Sequence, residues 1–191
     1  MLIDLERPAP AADMIAELAQ HLRLPSGFSD EADHQAALRR CWEVALRVVE
    51  ERARLVLLRR RIAFRIAAAE AAQRVALPVA PVVAIEALEH DDGDGRRAPV
   101  DPSLWRLELV GSRAFLAARA GRSLPRPPRD GFAEARLLTG HGETWDATPE
   151  DLRHAALLIA AACYEDRAGG GSAPLPAASL ALLERYRQVR L

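Results

Sequence analysis

The chain has 191 residues, 50% of them hydrophobic, with 26 strongly basic and 27 acidic side chains for a formal net charge of -1. That length supports one core of its own, so a single domain is expected, and the balanced charge excludes a molecule that captures polyanions by its overall field; any basic surface has to be local. All 26 of the strongly basic residues are arginine, which excludes chemistry that needs a lysine, including P-loop phosphate binding and Schiff-base formation.

A first short helix is expected from near Asp13 to His21 or Leu22, with Ile15, Leu18 and Leu22 on one face, broken by Pro25, Ser26 and Gly27. A longer helix follows from about Ser29 or Asp30 to Arg54, because Leu38, Cys41, Trp42, Ala45, Leu46, Val49 and Ala53 recur at spacings of three and four. On its other face Glu43 precedes Arg47 and Glu50 precedes Arg54, the favourable order for helix ion pairs of about 0.2–0.5 kcal/mol each. Residues 56 to 68 read two ways: the arginines at 59 to 61 and 65 decorate a continuing helix, or Arg61 to Ile66 alternates as a strand, the reading preferred here.

The middle of the chain is punctuated by prolines at 78, 81, 99, 102, 125, 127 and 128 and by the run DDGDG, which leaves apolar stretches too short for helices. Candidate strands are Val82 to Leu88, Leu104 to Val110, Ala114 to Ala118 and Phe132 to Leu138, the first two joined through the acidic turn at 91 to 95. The next block, ATPEDLRHAALLIAAACYEDRAGGGS, opens with Thr148 placed to cap a helix, Pro149 in its first position and Asp151 three residues after the cap. From Ala155 to Tyr164 no residue is charged, yet this run falls far short of the ~20 apolar residues of a bilayer span. Protein therefore has to surround the helix. The glycines at 169 to 171 end it, and after the linker GGGSAPLPA a terminal helix carries Leu180, Leu183, Tyr186 and Val189 along one side.

Few residues offer chemistry. Asp91, Asp92 and Asp94 invite a calcium loop, but twelve positions from Asp91 or Asp92 the closing glutamate is replaced by Pro102 or Ser103, so a solvated hairpin turn is the better reading. The histidines at 21, 34, 90, 141 and 154 lack metal-binding spacing, and no metal or other cofactor is expected. Ser172 follows glycines but Pro174 stands where a nucleophile elbow needs glycine. His141 and Glu143 in GHGET form an acid and base pair only by proximity in sequence, and Cys163 has no cationic activator. Cys41 and Cys163 fall inside apolar helical patterns, as buried free thiols do in a reducing cytoplasm. No secretory or membrane-spanning segment is visible, so no membrane partner is expected. The cluster Arg59, Arg60 and Arg61 is the best basic patch, with phosphate contact as its functional reading, though Glu50, Glu51 and Glu70 dilute its field.

Taken in order, several segments resemble the head-to-tail connector, or adaptor, proteins of long-tailed bacteriophages and gene transfer agents. They are the AELAQHLRL helix after a proline-rich start, the long helix through ALRRCWEVALRVVEERA, the strand LPVAPVVAIEAL, the turn DDGDG, the segment DPSLWRLEL, the strand ending in TGHG, and the block ATPEDLRHAALLIAAACYEDR. The last block carries most weight: in the family a short glycine turn precedes a proline-capped apolar helix ending in a tyrosine, an acid and an arginine, here Tyr164, Glu165 and Arg167. Where the family often shows a YAGYG-like pattern, this chain has Leu138 to Gly142.

The resemblance implies a fold that is mainly α with a small β region, a helical bundle plus short antiparallel strands. Residues 1–168 form the connector domain, with the β lobe at about 56–140, and 169–191 a linker and C-terminal arm. It further implies a non-enzymatic structural adaptor that assembles in the bacterial cytoplasm as a dodecameric ring beneath the portal protein, joins it to the next neck or tail-connector protein, and passes DNA through its centre without sequence specificity. Leu157, Leu158, Ile159 and Tyr164 are then expected to pack within the bundle or between subunits. Leu182, Leu183 and Tyr186 are expected to dock on the portal, with Arg185, Arg187 and Arg190 pairing with its acids; the other reading of this segment is a helix folded back on its own domain. The alternative function is a small cytoplasmic DNA-binding protein that uses Arg59 to Arg61.

Overall fold

The computed structural model describes residues 1–25, 27, 31–67, 73–119, 123–166 and 174–186. The chain divides into two compact units: Met1–Arg7 with Arg59–Gly140, and Pro8–Leu58 with His141–Leu191.

The first unit is built of strands. Strand β1 (Leu2–Asp4), β2 (Arg60–Ala67), β4 (Val82–Asp91), β5 (Arg97–Pro99) and β8 (Phe132–Thr139) form an antiparallel sheet in the order β1-β2-β8-β4-β5. Strands β3 (Arg74–Ala76), β6 (Trp105–Val110) and β7 (Arg113–Ala118) form a second antiparallel sheet in the order β3-β7-β6. The central strand β8 shows why the sequence alternates: Ala133, Ala135 and Leu137 are buried and lie opposite Ile66, Phe64 and Ile62 of β2, whereas the intervening Glu134 and Arg136 belong to a charged face. On that face Glu134 accepts hydrogen bonds from Arg65 Nε and Arg97, both at 2.8 Å, and Arg65 stacks 4.5 Å above the Phe132 ring.

The second unit is helical: α1 (Ala12–His21), α2 (Ala32–Ala53), α3 (Glu150–Glu165) and α4 (Ala177–Glu184). Its core joins Leu18, Leu38, Trp42 and Val49 with Leu152, Ala156 and Ala160, all inaccessible to solvent. Trp42 meets Trp145 edge to face with ring centres 5.3 Å apart, and each indole donates: Trp42 to the Met14 carbonyl at 2.7 Å, Trp145 to Glu17 at 3.0 Å. Amphipathic aromatics fill a core well when their N–H finds such a partner. Among the described residues, no helix is long and apolar enough to cross a membrane.

Three expectations need correction. The fold is not mainly helical: among the described residues helix makes up 38% and strand 31%, with sheets of five and three strands. Strands β1, β3 and β5 are three residues each and acquire their conformation from distant partners, Leu2 from Phe64 and Arg74 from Ala117, so local periodicity does not reveal them. The acidic turn joins β4 to β5 and not to the strand at 105 to 110; after Val100 a 3-10 turn at Pro102–Leu104, capped by Asp101 on the Ser103 amide, diverts the chain into the other sheet. Finally, Thr148 does not cap α3: Pro149 occupies the N-cap position, and the buried Thr148 hydroxyl has no hydrogen-bond partner. The helix start expected at Ser29 or Asp30, the glycines at 169 to 171, Ser172, Arg167 and Val189 lie outside the described residues.

Candidate functional site

The apolar helix α3 is enclosed by its own chain. Leu157, Ile159 and Tyr164 are buried and Leu158 is half-buried; α1, α2 and α4 pack around it. The helix is alanine-rich where the others come close, so that backbones approach without large side chains intervening. The glycine turn before it is equally local in origin. Gly140 has φ +108°, a conformation that favours glycine. A side chain at Gly142 would collide with Cβ of Ala147, because the 3-10 turn Trp145–Ala147 folds over it. Within the same region the His141 amide donates to the Leu57 carbonyl at 3.1 Å, and the Leu57 amide donates to the buried Glu50 carboxylate at 3.0 Å. Burial lowers the His141 pKa below the ordinary imidazole value, while Glu143 is exposed.

The terminal helix α4 folds back onto its own unit. Leu183 is 2% exposed within the helical core, with Leu182 and Tyr186 packed against that core. The Tyr186 hydroxyl donates to Asp151 Oδ1 at 2.7 Å, and the exposed Arg185 pairs with Asp151 Oδ2 at 3.1 Å. Burial, and then the Asp151 hydrogen bond, push the Tyr186 pKa up to about 12. Arg187 and Arg190 lie outside the described residues. A single acidic side chain near the start of α3 therefore holds both polar groups at the end of α4, a connection that the spacing of residues does not disclose.

The arginine cluster is dispersed by the strand that carries it. Arg59 is half-buried, Arg60 buried and Arg61 exposed. Arg60 donates to Asp4 at 3.1 Å, and Arg61 donates to Glu86 at 2.9 Å and to Glu6 at 3.4 Å. The Glu86 hydrogen bond raises the Arg61 pKa above its ordinary value. A phosphate at Arg60 or Arg61 would have to displace these carboxylates, which weakens the reading of the cluster as a nucleic-acid site. The acidic turn is also satisfied from within: Asp91 accepts from the Gly93 amide, and Asp92 accepts from the amides of Asp94 and Arg96. No group of three or more potential metal ligands occurs among the described residues.

No protein-family model matches the chain, and no curated protein does. Solved structures do match. The chain is similar to one from the neck of an empty gene transfer agent (GTA) particle computed with C6 symmetry, with TM-score 0.86 and 34% identity over 100% of this chain and 97% of that one. It is similar to a chain of the virion of a native gene transfer agent particle, with TM-score 0.84 and 34% identity at the same coverage. A chain from the neck of the native particle computed with C12 symmetry gives TM-score 0.82 and 32% identity, again over 100% and 97% of the two lengths. Agreement in fold and in a third of the residues from end to end reflects common descent, and the chain belongs to the head-to-tail connector (adaptor) family represented in gene transfer agent particles.

Proposed function

We propose that this protein is a structural adaptor at the head-to-tail interface of a phage-like particle. It forms a ring beneath the portal, joins it to the next neck or tail-connector protein, and leaves a central channel through which DNA passes without sequence-specific contacts. It assembles in the bacterial cytoplasm and ends in the particle neck, without catalysis and without a cofactor. The observation that carries this reading is the full-length similarity to neck chains; the C12 symmetry of one of those necks supports a ring of twelve copies. The paired state of Arg60 and Arg61 also favours it over sequence-independent DNA binding by that cluster.

The C-terminal segment is the proposed portal grip, through Leu182, Leu183, Arg185, Tyr186, Arg187 and Arg190. Because Leu183 is seated in the core and Tyr186 on Asp151, the exposed Arg185 and the residues beyond Tyr186 are the ones to engage first. Removing residues 187–191 retains Leu183 and Tyr186, the described contacts of this segment, and is therefore the discriminating truncation. The test is binding of the full chain to purified portal at rising salt, with duplex DNA in parallel. The adaptor reading expects portal binding that survives moderate salt and is lost on truncation. DNA affinity that collapses with salt, together with absence of portal binding, refutes it. A reconstruction of particles that places the chain outside the neck refutes it as well.

A further inference from the structure

We infer that one face of the small sheet β3-β7-β6 is a phosphate-binding surface, on which a nucleic-acid backbone lies without regard to its sequence. This rests on the adaptor reading above, in which DNA passes the protein, and assigns the contact to named residues.

Alternation sorts the three strands into two faces. Val75, Ala114 and Leu116 are buried on one side; the other carries Arg74 of β3, Arg113 and Phe115 of β7, and Arg106 and Glu108 of β6. Arg119 joins this second face, because it lies two positions beyond Ala117 and its amide continues the ladder onto the Leu104 carbonyl at 2.9 Å. Arg74 and Arg106 stand on either side of Ala117, about 10 Å apart at two strand spacings. From Arg113 to Arg119 the row extends about 20 Å, the length of roughly six nucleotides of a duplex strand.

Charge selects the occupant. Among the described residues of this face, four arginines share a single carboxylate, Glu108, which takes Arg106 at 3.0 Å and Arg74 at 3.3 Å. One carboxylate cannot neutralise two guanidinium groups, and their side chains remain 53% and 50% exposed. Arg119 donates to the Trp105 carbonyl at 2.9 Å, a bond that orients the side chain and cancels no charge. Arg74 is also held 4.3 Å over the Phe115 ring. At the N-terminal edge, by contrast, Asp4, Glu6 and Glu86 balance Arg7, Arg60 and Arg61 one for one.

The excess extends to the whole first unit, which has 15 arginines against 12 acidic residues (net +3), while the second has 11 against 15 (net -4). The overall charge of -1 therefore conceals a positive half, and a polyanion is drawn to it. Guanidinium forks match phosphate oxygens, and a contact made to the backbone carries no sequence information. A nucleic-acid strand, unlike an acidic patch of protein, offers a negative charge at every step along the row, so each arginine meets one in any register.

The experiment measures binding of the full chain to two short duplexes of unrelated sequence by fluorescence anisotropy across a salt series, with binding to purified portal in parallel. Equal affinity for the two duplexes is expected. Arg106→Gln with Arg119→Gln is expected to lose about tenfold in affinity and to flatten the salt dependence by about two contacts. Arg106→Lys with Arg119→Lys, which keeps the charge, is expected to stay close to wild type and so separates lost charge from lost folding. Arg39→Gln with Arg40→Gln, an exposed pair on α2, is expected to bind DNA as the wild type does. No measurable wild-type affinity for either duplex overturns the inference, as does a loss in the α2 variant equal to that in the sheet variant. Binding of a polyglutamate peptide as tight as that of DNA overturns it too, and makes the face a dock for acidic protein. Portal binding is expected to survive the sheet substitutions; its absence in the wild type refutes the adaptor reading, whereas the duplex series alone decides the phosphate surface.

Discussion

Glycine 142 is fixed by what lies over it and not by its own backbone angles. A methyl group there would occupy the space of the Ala147 side chain. Gly142→Ala is therefore expected to destabilise the protein by about 1–3 kcal/mol through overpacking, and Ala147→Gly in the same chain to restore part of the loss. A double-mutant cycle from chemical denaturation measures the pair, and a coupling within error of zero would show that the turn relaxes freely. Glu50 acts by hydrogen bonding at the same junction. Helix α2 stops at Arg54, which adopts a left-handed conformation with φ +55°, and the Glu50 carboxylate then takes the Leu57 amide in a buried site. Glu50→Ala strands that amide, at an expected loss of about 1–3 kcal/mol, again read by denaturant midpoint. An effect well below that range would mean that water replaces the carboxylate.

Among the elements, α4 has an attachment that depends on pH. Tyr186 keeps its proton up to about 12 in the folded chain because burial and the Asp151 carboxylate disfavour the phenolate. In the unfolded chain a tyrosine ionises near 10. Between these values the unfolded state holds fewer protons than the folded one, so stability falls as pH rises through this window and is fully present below it. The expected outcome is that wild-type stability drops more steeply above pH ~10 than that of Tyr186→Phe, followed by thermal unfolding across an alkaline series. Parallel curves for the two proteins would mean that α4 is not held through this hydroxyl. The variant also loosens α4 at neutral pH, and the same substitution therefore reports whether the proposed portal grip depends on release of the helix.

Over the whole molecule, the sequence exposes what is local and hides what is not. Helices α1, α2 and α3 are legible because leucine, valine and alanine recur at helical spacing within one segment. Strands β4, β6, β7 and β8 are legible because Val82, Trp105, Ala114 and Phe132 open apolar runs too short for helices. The share of β structure exceeds the expectation in part because β1 joins the sheet from the far N-terminal end through Asp4 and Arg60, a pairing across 56 positions that no window detects. The candidate site follows the same rule. The apolar character of α3 announces burial, but only the folded chain shows that α4 and Asp151 provide part of the cover. The arginine run looks basic until Asp4 and Glu6 arrive from the N-terminal segment and Glu86 from β4.

The same distribution sets the acid response of both units. His90, in the β unit, has a pKa lowered by burial despite a hydrogen bond of its ring to the Pro125 carbonyl at 3.2 Å. His141, in the helical unit, is lowered by burial. Each is neutral in the folded protein at pH values where the unfolded chain, titrating near 6.5, already binds a proton. The unfolded state then holds more protons, so stability present above about pH 6.5 declines as pH falls through the depressed folded values and levels off below them. His90→Gln with His141→Gln is expected to flatten this part of the profile, measured as the denaturant midpoint between neutral and mildly acidic pH. If the double variant and the wild type lose stability in parallel over that range, the buried imidazoles play no part in the acid response.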